Sequence, residues 1–236
     1  MEAIISVSDA YNQWSTVYDT NANLTRDLEG LILRRTLSNK LTSGETPFRI
    51  LEIGCGTGKN TEFYASLVNV SHIVAVDLSE NMLEHAKKKI HTDKVSFRQA
   101  DILQNWNLFL RESEEPFDVI SFSLVLEHID DLDRIFTLCR QYLRPHGLVY
   151  VGELHPFKQY MGCKARFYDE KDDTTKVLTC FTHHISEFVS TAQGAGLGLM
   201  HLSEHFDDEC GEGAGRVGRN VDRGIPRILC LLFEKA

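Results

Sequence analysis

The sequence predicts one α/β domain built around a mostly parallel sheet, and three observations lead to this prediction. Apolar runs of strand length alternate with helical patterns along most of the 236 residues, an order that is typical of parallel α/β sheets. One of these runs leads directly into a glycine-rich turn, in ILEIGCGTGK at 50–59. The next run, HIVAV, ends on the acidic residue Asp77. Together these features are typical of α/β folds that bind a nucleoside or nucleotide.

Two helical patterns come first. SDAYNQWSTVYD begins with residues that favour a helix N-terminus, and TRDLEGLILRRTLSNKL has apolar residues at helical spacing. Gly44 and Pro47 interrupt the chain before the first strand, RILEIG. The first 45 residues are therefore predicted to form an N-terminal helical segment.

Strand–helix units continue through the middle of the chain. The helix NTEFYASLVN follows the glycine turn, and Ser79 is predicted to cap the helix ENMLEHAKKKIH after the second strand. VSFRQAD is the predicted third strand and ends on Asp101, and FDVISFSLV is an apolar run suited to a strand buried on both faces. The helix LDRIFTLCRQYL stops before Pro145 and Gly147, and GLVYVGEL is the fifth strand.

The last third of the chain combines an irregular segment with a closing pair of strands. Residues 155–180 are charged and irregular, and we interpret them as an insertion. HHISEFVSTAQGAG is predicted to be the last helix, and LGLMHLSEHF and RILCLLFEK are predicted to pair as antiparallel strands. Residues 213–218, GAGRVG, formally match a dinucleotide fingerprint, but no strand pattern precedes them and no helical pattern follows, so we interpret them as a loop.

Composition bears on location and partners. The net charge is −9, which disfavours a nucleic-acid partner because such proteins need a basic surface. No run approaches the roughly 20 apolar residues that span a membrane, and the N-terminus lacks signal-peptide features, so we expect a cytoplasmic protein with no membrane partner. The six cysteines form no C-x-x-C pair, which favours free thiols. His201 and His205 have the spacing of a metal pair on a helix, but they lie in a predicted strand, and no metal is expected.

The glycine turn indicates the class of ligand. Glycines at 54, 56 and 58 let the backbone approach a ligand where a Cβ would clash, and the Asp77 carboxylate suits the two hydroxyls of a ribose. Glu52 would repel a pyrophosphate but favours a cationic ligand, and the turn lacks the spacing of the dinucleotide fingerprint and of the Walker A loop. A nucleoside cofactor is therefore expected.

This stretch resembles the class I S-adenosylmethionine-dependent methyltransferases, in which an E/D-x-G-x-G-x-G loop packs under the methionine part of the cofactor. The resemblance covers roughly residues 11–153. It implies S-adenosyl-L-methionine as the cofactor, and a Rossmann-like seven-stranded, mostly parallel sheet with helices on both faces and a C-terminal antiparallel hairpin. The ligand is then expected at the carboxyl ends of the strands.

The resemblance also implies cofactor contacts at individual positions. Asp77 is expected to bind the ribose, and Leu78 or Met82 to cover one face of the adenine. Asp101 and the backbone of Ile102 are expected beside the adenine amino group. The full set of implied cofactor residues is Tyr11, Tyr18, Glu52, Gly54, Gly56, Gly58, Asp77, Leu78, Met82, Asp101, Ile102 and Ser123.

The N-terminal segment has a role in the same resemblance. In similar enzymes a helix with this Y…YD pattern lies over the cofactor, so residues 1–45 are expected to form a helical lid. Tyr11 and Tyr18 are spaced to share one helical face. An aromatic ring that faces the sulfonium would add a cation–π attraction of roughly 0.5–2 kcal/mol. Ser123 is expected at the methionine end of the cofactor.

The expected function is methyl transfer to a small-molecule acceptor, at an oxygen or an amine nitrogen, by in-line displacement that depends mainly on proximity and orientation. A general base is needed only where the acceptor arrives protonated, and the candidates are His128, Glu153 and His155. Residues 155–180 are expected on the substrate side of a single domain, 1–236. Two alternatives stay open: a nicotinamide-dependent oxidoreductase, which Glu52 opposes, and a non-catalytic partner subunit that binds the cofactor. The sequence does not predict the oligomeric state.

Overall fold

The computed structural model describes residues 2–42, 46–111, 115–169, 172–210 and 224–236. Within these ranges the α-helices are α1 (Val7–Trp14), α2 (Leu24–Thr42), α3 (Lys59–Ser66), α4 (Glu80–Lys89), α5 (Leu132–Tyr142), α6 (Pro156–Tyr160) and α7 (Ile185–Gly194). The strands are β1 (Glu2–Ile5), β2 (Phe48–Ile53), β3 (Val70–Asp77), β4 (Val95–Gln99), β5 (Phe117–Ser123), β6 (Leu143–Leu154), β7 (Arg166–Asp169), β8 (Thr174–Leu178), β9 (Leu197–His205) and β10 (Ile228–Lys235).

Seven strands form the main sheet, in the order β4-β3-β2-β5-β6-β10-β9. The pairs from β4 through β6 are parallel, and β10 runs antiparallel to both β6 and β9. The strand order reverses between β2 and β5, so their carboxyl ends leave a crevice at this switch point. The predicted fold class is confirmed, including the closing antiparallel pair.

The sheet is buried on both faces, which explains the continuous apolar runs of its central strands. One core cluster includes Phe122 of β5 and Phe136 of α5, and it lies on the face that α5 and α7 cover. The other cluster includes Leu33 of α2 and Tyr64 of α3. These two clusters hold the carboxyl ends of β2, β3 and β5 in a fixed arrangement.

A second, three-stranded sheet corrects two of the sequence predictions. Strand β1 pairs parallel with β8, and β8 pairs antiparallel with β7. The segment at 155–180 therefore contains α6, β7 and β8 rather than irregular chain, and the chain before α1 is a strand. Local patterns did not indicate β1 because its partner, β8, lies far away in the sequence. Strands β7 and β8 are short and pair with each other as a hairpin.

The N-terminal segment differs from a continuous helical lid. Helix α1 ends at Trp14, so Tyr18 lies beyond it and the prediction of a shared helical face is wrong. Helix α2 packs against β6 and β10 and buries Leu28, Ile32 and Leu33. It is therefore a layer of the core, whereas α1 and the turn after it contribute Tyr11 and Tyr18 to the switch point.

Several further predictions can be compared with the structure. The fifth strand begins at Leu143, earlier than predicted, because its register against β5 shifts across the Pro145–Gly147 stretch. Gly44 and residues 213–218 lie outside the described residues. No helix in the described ranges is long and apolar enough to cross a membrane. The six cysteines are free thiols.

Helix α4 begins at a side-chain cap that also joins it to α1. The Ser79 hydroxyl accepts a hydrogen bond from Met82 N at 3.2 Å and donates one to Asn12 Oδ1 at 2.7 Å. Replacing Ser79 with alanine is expected to lower the free energy of unfolding by about 1 kcal/mol, measured by urea denaturation. The exposed helical Ser190, replaced in the same way, is the control and should change it by less than about 0.5 kcal/mol. Equal effects of the two variants would contradict the capping role.

Candidate functional site

A cavity of about 170 Å³ opens at the switch point, and we call it the main cavity. It collects most of the residues predicted from the sequence, namely Tyr11, Tyr18, Gly54, Gly56, Asp77, Leu78, Met82, Asp101, Ile102, Ser123 and His128. Its remaining lining is apolar and comes from strand ends and from the loop after β5, including Leu124 and Val125. Sequence patterns did not single these residues out because they are typical of any buried strand end.

Asp77 is the last residue of β3, and both of its carboxylate oxygens face backbone donors. Oδ2 accepts from Gly56 N at 2.7 Å, and Oδ1 accepts from Ser79 N at 2.8 Å. Each oxygen keeps a lone pair for a further donor. Burial raises the pKa of Asp77 to about 6, against these hydrogen bonds, which lower it. The carboxylate is therefore fixed in place and is able to accept two more hydrogen bonds from a ligand.

The glycine turn leaves room beside that carboxylate. Gly56 has φ +54°, and a Cβ at this position would find no atom within 4 Å, so the space belongs to the cavity. A Cβ on Gly54, where φ is +70°, would come within 2.2 Å of Val125 Cγ2. Gly54 is thus needed because a side chain would clash with Val125, and Gly56 because its φ strains any other residue. The turn thus leaves open space beside the Asp77 carboxylate, where the hydrogen-bond donors of a ligand can approach.

Gly58 does not line this cavity. It has φ +85° at the start of α3, and a Cβ there would lie 2.8 Å from Ile90 Cδ1 and 3.0 Å from Ala86 Cβ. Its role in the structure is to let α3 pack closely on α4. The predicted direct contact with a cofactor therefore has no support in the geometry.

Asp101 and its neighbours form the far wall of the main cavity. The residue lies just beyond β4, where Ala100 N donates to Asp77 O at 3.0 Å. Its Oδ1 accepts from Leu103 N at 2.9 Å, which fixes the carboxylate at the cavity edge. Met82 of α4 contributes an apolar surface to the same wall. A flat ring between these groups would have one polar edge and one apolar face.

A smaller cavity of about 50 Å³, the inner cavity, adjoins the main cavity at Gly54 and Gly56. Two buried glutamates line it, Glu29 of α2 and Glu52 of β2. Burial raises the pKa of Glu29 to about 7 and that of Glu52 to about 8. Glu52 accepts from Thr61 Oγ1 at 2.6 Å. Burial thus disfavours the negative charge of both carboxyl groups, and Arg26 and Lys59 line the same cavity.

Two residues of the inner cavity were missed by sequence reasoning. Asn60 Nδ2 lies 3.4 Å from Glu29 Oε2 and 3.2 Å from Ser123 Oγ, whereas Asn60 Oδ1 is buried with no partner. Glu29 also accepts from the Tyr150 hydroxyl at 3.2 Å. Nothing local marks Glu29, since it lies in an ordinary helical pattern. Only the packing of α2 on the sheet brings it to the glycine turn.

His128 faces the main cavity in a defined tautomer. Its Nδ1 lies 2.9 Å from Thr179 O, a carbonyl that only accepts, so Nδ1 carries the proton. In the neutral ring Nε2 is then an acceptor, 3.0 Å from the Tyr11 hydroxyl. Burial and the nearby Tyr18 raise the pKa of Tyr11 well above its usual value. The pair thus joins a stable phenol to an imidazole that can take up a proton.

Glu153 lies in neither cavity, although it was predicted as a candidate base. Its side chain is only 1% exposed, and its Oε1 accepts from Val125 N at 2.9 Å and from Leu126 N at 2.8 Å. Burial and the nearby Glu127 raise its pKa to about 8. The carboxyl group thus fixes the loop after β5 rather than facing a ligand.

His155 also lies outside both cavities. It is 4% exposed and begins α6, where its Nδ1 accepts from Phe157 N at 3.1 Å. Its Nε2 then donates to Glu204 Oε1, at 2.8 Å. Both ring nitrogens are therefore used within the protein, and the prediction of a catalytic role has no geometric support.

A third cavity, of about 120 Å³, lies on the other side of α1, and we call it the outer cavity. Tyr18 and Leu124 line all three cavities, so these two residues mark the point where the cavities meet. Leu124 has φ +57°, a left-handed conformation that is costly for a branched side chain. Such strain concentrates at functional sites. The junction is therefore the point at which two ligands would meet.

Comparisons with known proteins agree with this geometry. Residues 51–151 match the family model of a methyltransferase domain. An uncharacterized methyltransferase of Emericella nidulans is 28% identical over 228 residues, which cover 84% of this chain and 78% of that protein. A ubiquinone biosynthesis O-methyltransferase of Pasteurella multocida is 26% identical over 185 residues, with coverage of 75% and 72%.

The fold recurs in solved structures. An S-adenosylmethionine-dependent methyltransferase from Mesorhizobium loti superposes with a TM-score of 0.62 at 18% identity, covering 86% of this chain and 97% of that one. The sheet order, the glycine turn and the family match point to the same cofactor and reaction. Residues 51–151 match a methyltransferase domain, and the chain shares its fold with S-adenosylmethionine-dependent methyltransferases.

Proposed function

We propose that the main cavity binds the adenosine part of S-adenosylmethionine and the inner cavity its methionine part. The observation that carries this proposal is the Asp77 carboxylate, held by two backbone donors with a lone pair left on each oxygen. Asp101, Leu78 and Met82 would then contact the adenine. A positive charge on the ligand would lower the raised pKa of Glu52, so that Glu52 would ionise and pair with it.

When bound, S-adenosylmethionine supplies an activated methyl group: its S–CH3 bond breaks with the electron pair going to sulfur while an acceptor lone pair forms the new bond. The residues of the chain align the acceptor and exclude water. Tyr18 and Leu124 would align the acceptor and exclude water at the junction of the cavities, and Tyr11 of α1 would cover this junction.

The acceptor is proposed to be a small molecule that binds in the outer cavity. The volume of about 120 Å³ favours a metabolite over a macromolecule, and the net charge of −9 opposes a nucleic acid. The similarity to a ubiquinone biosynthesis O-methyltransferase supports an oxygen acceptor, although a nitrogen acceptor fits the same geometry. Free cysteines support a reducing compartment, the cytoplasm.

Tyr11 and His128 are proposed to remove the proton of an acceptor that arrives protonated. The acceptor proton passes to the Tyr11 oxygen, and the Tyr11 proton passes to His128 Nε2, 3.0 Å away. Thr179 O holds the Nδ1 proton throughout. The step leaves the acceptor with a free lone pair and His128 as an imidazolium.

The test is calorimetric titration of S-adenosylmethionine and S-adenosylhomocysteine, followed by S-adenosylhomocysteine release with acceptors that carry hydroxyl, carboxyl or amino groups. Micromolar binding and turnover with one of these classes is the expected result. Binding without turnover on any acceptor would favour the non-catalytic partner subunit. Binding of NADH, seen by its fluorescence, in place of both sulfur ligands would favour the oxidoreductase and overturn the proposal.

Replacing Tyr11 with phenylalanine tests the proton path. It is expected to lower kcat about tenfold for an acceptor that arrives protonated, within the range of general acid–base effects, and to shift the pH profile. The dissociation constant of S-adenosylhomocysteine should change less than about twofold, which corresponds to under about 0.5 kcal/mol. Tyr160 contacts His184 outside the three cavities, so Tyr160→Phe is the matched control. Equal kcat values for both variants would contradict the path.

A further inference from the structure

Two residues that line the outer cavity each carry a buried polar atom without a partner. Trp14 Nε1, a donor, and Glu127 Oε2, an acceptor, make no hydrogen bond, although the Glu127 carboxyl group as a whole interacts with Cys180 and Gln159. Trp14 and Glu127 are 5% and 6% exposed. Buried polar groups are almost always hydrogen-bonded, because leaving them unpaired is costly. Two such atoms of opposite type on one cavity indicate a ligand that carries both an acceptor and a donor.

The Trp14 side chain and the backbone of Glu127 are both held in place. The Trp14 ring stacks on Phe167 of β7 with ring centroids 5.3 Å apart, and it also packs against Tyr11 at 5.8 Å. The backbone of Glu127 is fixed by Phe181 N, which donates to Glu127 O at 2.7 Å. Strands β1 and β8 tie the N-terminal segment to the segment at 155–180. The two unpaired atoms therefore belong to a preformed site.

The rim of the outer cavity is positive. Lys164 and Arg166 line it and are exposed, whereas Glu127 is buried. A ligand with an anionic end at the rim and a hydrogen-bond donor inside would match this polarity. Arginine and lysine suit a carboxylate, and a buried carboxylate suits a hydroxyl or an ammonium group.

We propose that the methyl acceptor is a small organic acid carrying a hydroxyl or amino group, with its carboxylate beside Lys164 and that group between Glu127 and Tyr11, which line the same cavity. Glu127 orients the group in the bound acceptor, and the proton of the group leaves through Tyr11. Trp14 Nε1 donates to an oxygen of the same molecule. The proposal rests on the proposed function, since it assigns the acceptor of that reaction. It makes Glu127 and Lys164 the residues that determine which acceptor is used.

Binding is measured by tryptophan fluorescence on protein saturated with S-adenosylhomocysteine, because Trp14 lies in the cavity. The probes are lactate, alanine, 3-hydroxybenzoate and 3-aminobenzoate, each compared with its amide, which lacks the negative charge. At least one acid is expected to change the fluorescence at tenfold lower concentration than its amide. The response should vanish in Trp14→Phe. The hydroxy and amino probes distinguish the two kinds of donor.

Two variants test the named contacts. Glu127→Gln keeps the shape of the side chain and is expected to weaken the binding of the acid probe with the highest affinity at least fivefold. Lys164→Gln is expected to weaken the binding of the same acid at least threefold and to leave the binding of its amide unchanged. Lys176 pairs with Asp172 on the same small sheet and does not line the cavity, so Lys176→Gln is the control and should change neither.

S-adenosylhomocysteine titration of every variant separates the two levels of the proposal. If the wild-type protein does not bind S-adenosylhomocysteine, the proposed function itself is overturned. Intact cofactor binding, with acids and amides equally effective or without a probe response at the highest soluble concentration, would overturn only the assignment of the acceptor. Unchanged acid binding in both Glu127→Gln and Lys164→Gln would do the same.

Discussion

Replacing Asp77 with alanine is expected to raise the dissociation constants of S-adenosylmethionine and S-adenosylhomocysteine at least tenfold, which corresponds to about 1.4 kcal/mol. The variant removes a carboxylate that has a lone pair available on each oxygen. It also frees Gly56 N and Ser79 N, so the glycine turn loses its anchor. Calorimetric titration of both ligands measures the change.

Asp77→Asn separates charge from shape in the same experiment. The amide keeps one accepting oxygen but presents a donor in place of the other, so it should weaken binding by an amount between wild type and alanine. Burial raises the pKa of Asp77 to about 6, so protonation below that pH should weaken wild-type binding, whereas Asp77→Asn should show no such change. Wild-type affinity in Asp77→Ala would remove the central contact of the proposed site.

The contacts around Asp77 were predictable because they are local in the sequence. A strand, a glycine turn and the end of the next strand fix a cofactor site within a short stretch of chain, and parallel pairing of β2 with β3 brings them together. The same holds for Ser79, whose cap lies next to the strand end. Local pattern and backbone geometry decide these positions.

The acidic inner cavity and the outer cavity were not predictable in this way. Glu29 reaches the glycine turn because α2 packs on the sheet, and Trp14 and Glu127 line one cavity although they are far apart in the sequence. The position of Glu153 at a strand end suggested a catalytic role. The Glu153 side chain instead points to the backbone N–H groups of the loop after β5, which need an acceptor.

Between pH 5.5 and pH 8.5, the free energy of unfolding of the wild-type protein is expected to fall by up to about 3 kcal/mol more than that of Glu153→Gln. Glutamine keeps a carbonyl oxygen for Val125 N and Leu126 N, and its amide nitrogen takes the place of Oε2, which is buried without a partner. That replacement costs the same at both pH values. Glutamine avoids the buried negative charge that the carboxylate acquires at high pH. Urea denaturation at the two pH values measures the difference.

The direction follows from the shift in pKa. Burial raises the folded-state pKa of Glu153 from 4.5 to about 8, so the stability that the neutral form contributes is complete below pH 4.5 and is lost as the pH rises through 8. Glu29 and Glu52 act in the same direction, so the variant should flatten the pH dependence without abolishing it. The exposed Glu84, replaced by glutamine, is the control and should follow wild type.

The same variant distinguishes a structural carboxyl group from a catalytic base. Because Glu153 lines none of the three cavities, Glu153→Gln should keep kcat within about threefold of wild type at pH 7, a change of under about 0.7 kcal/mol in the barrier. A catalytic base would instead lose about a hundredfold or more. If Glu153→Gln instead loses kcat about a hundredfold while the pH dependence of its free energy of unfolding equals that of wild type, Glu153 is the catalytic base and His128 is not the proton acceptor.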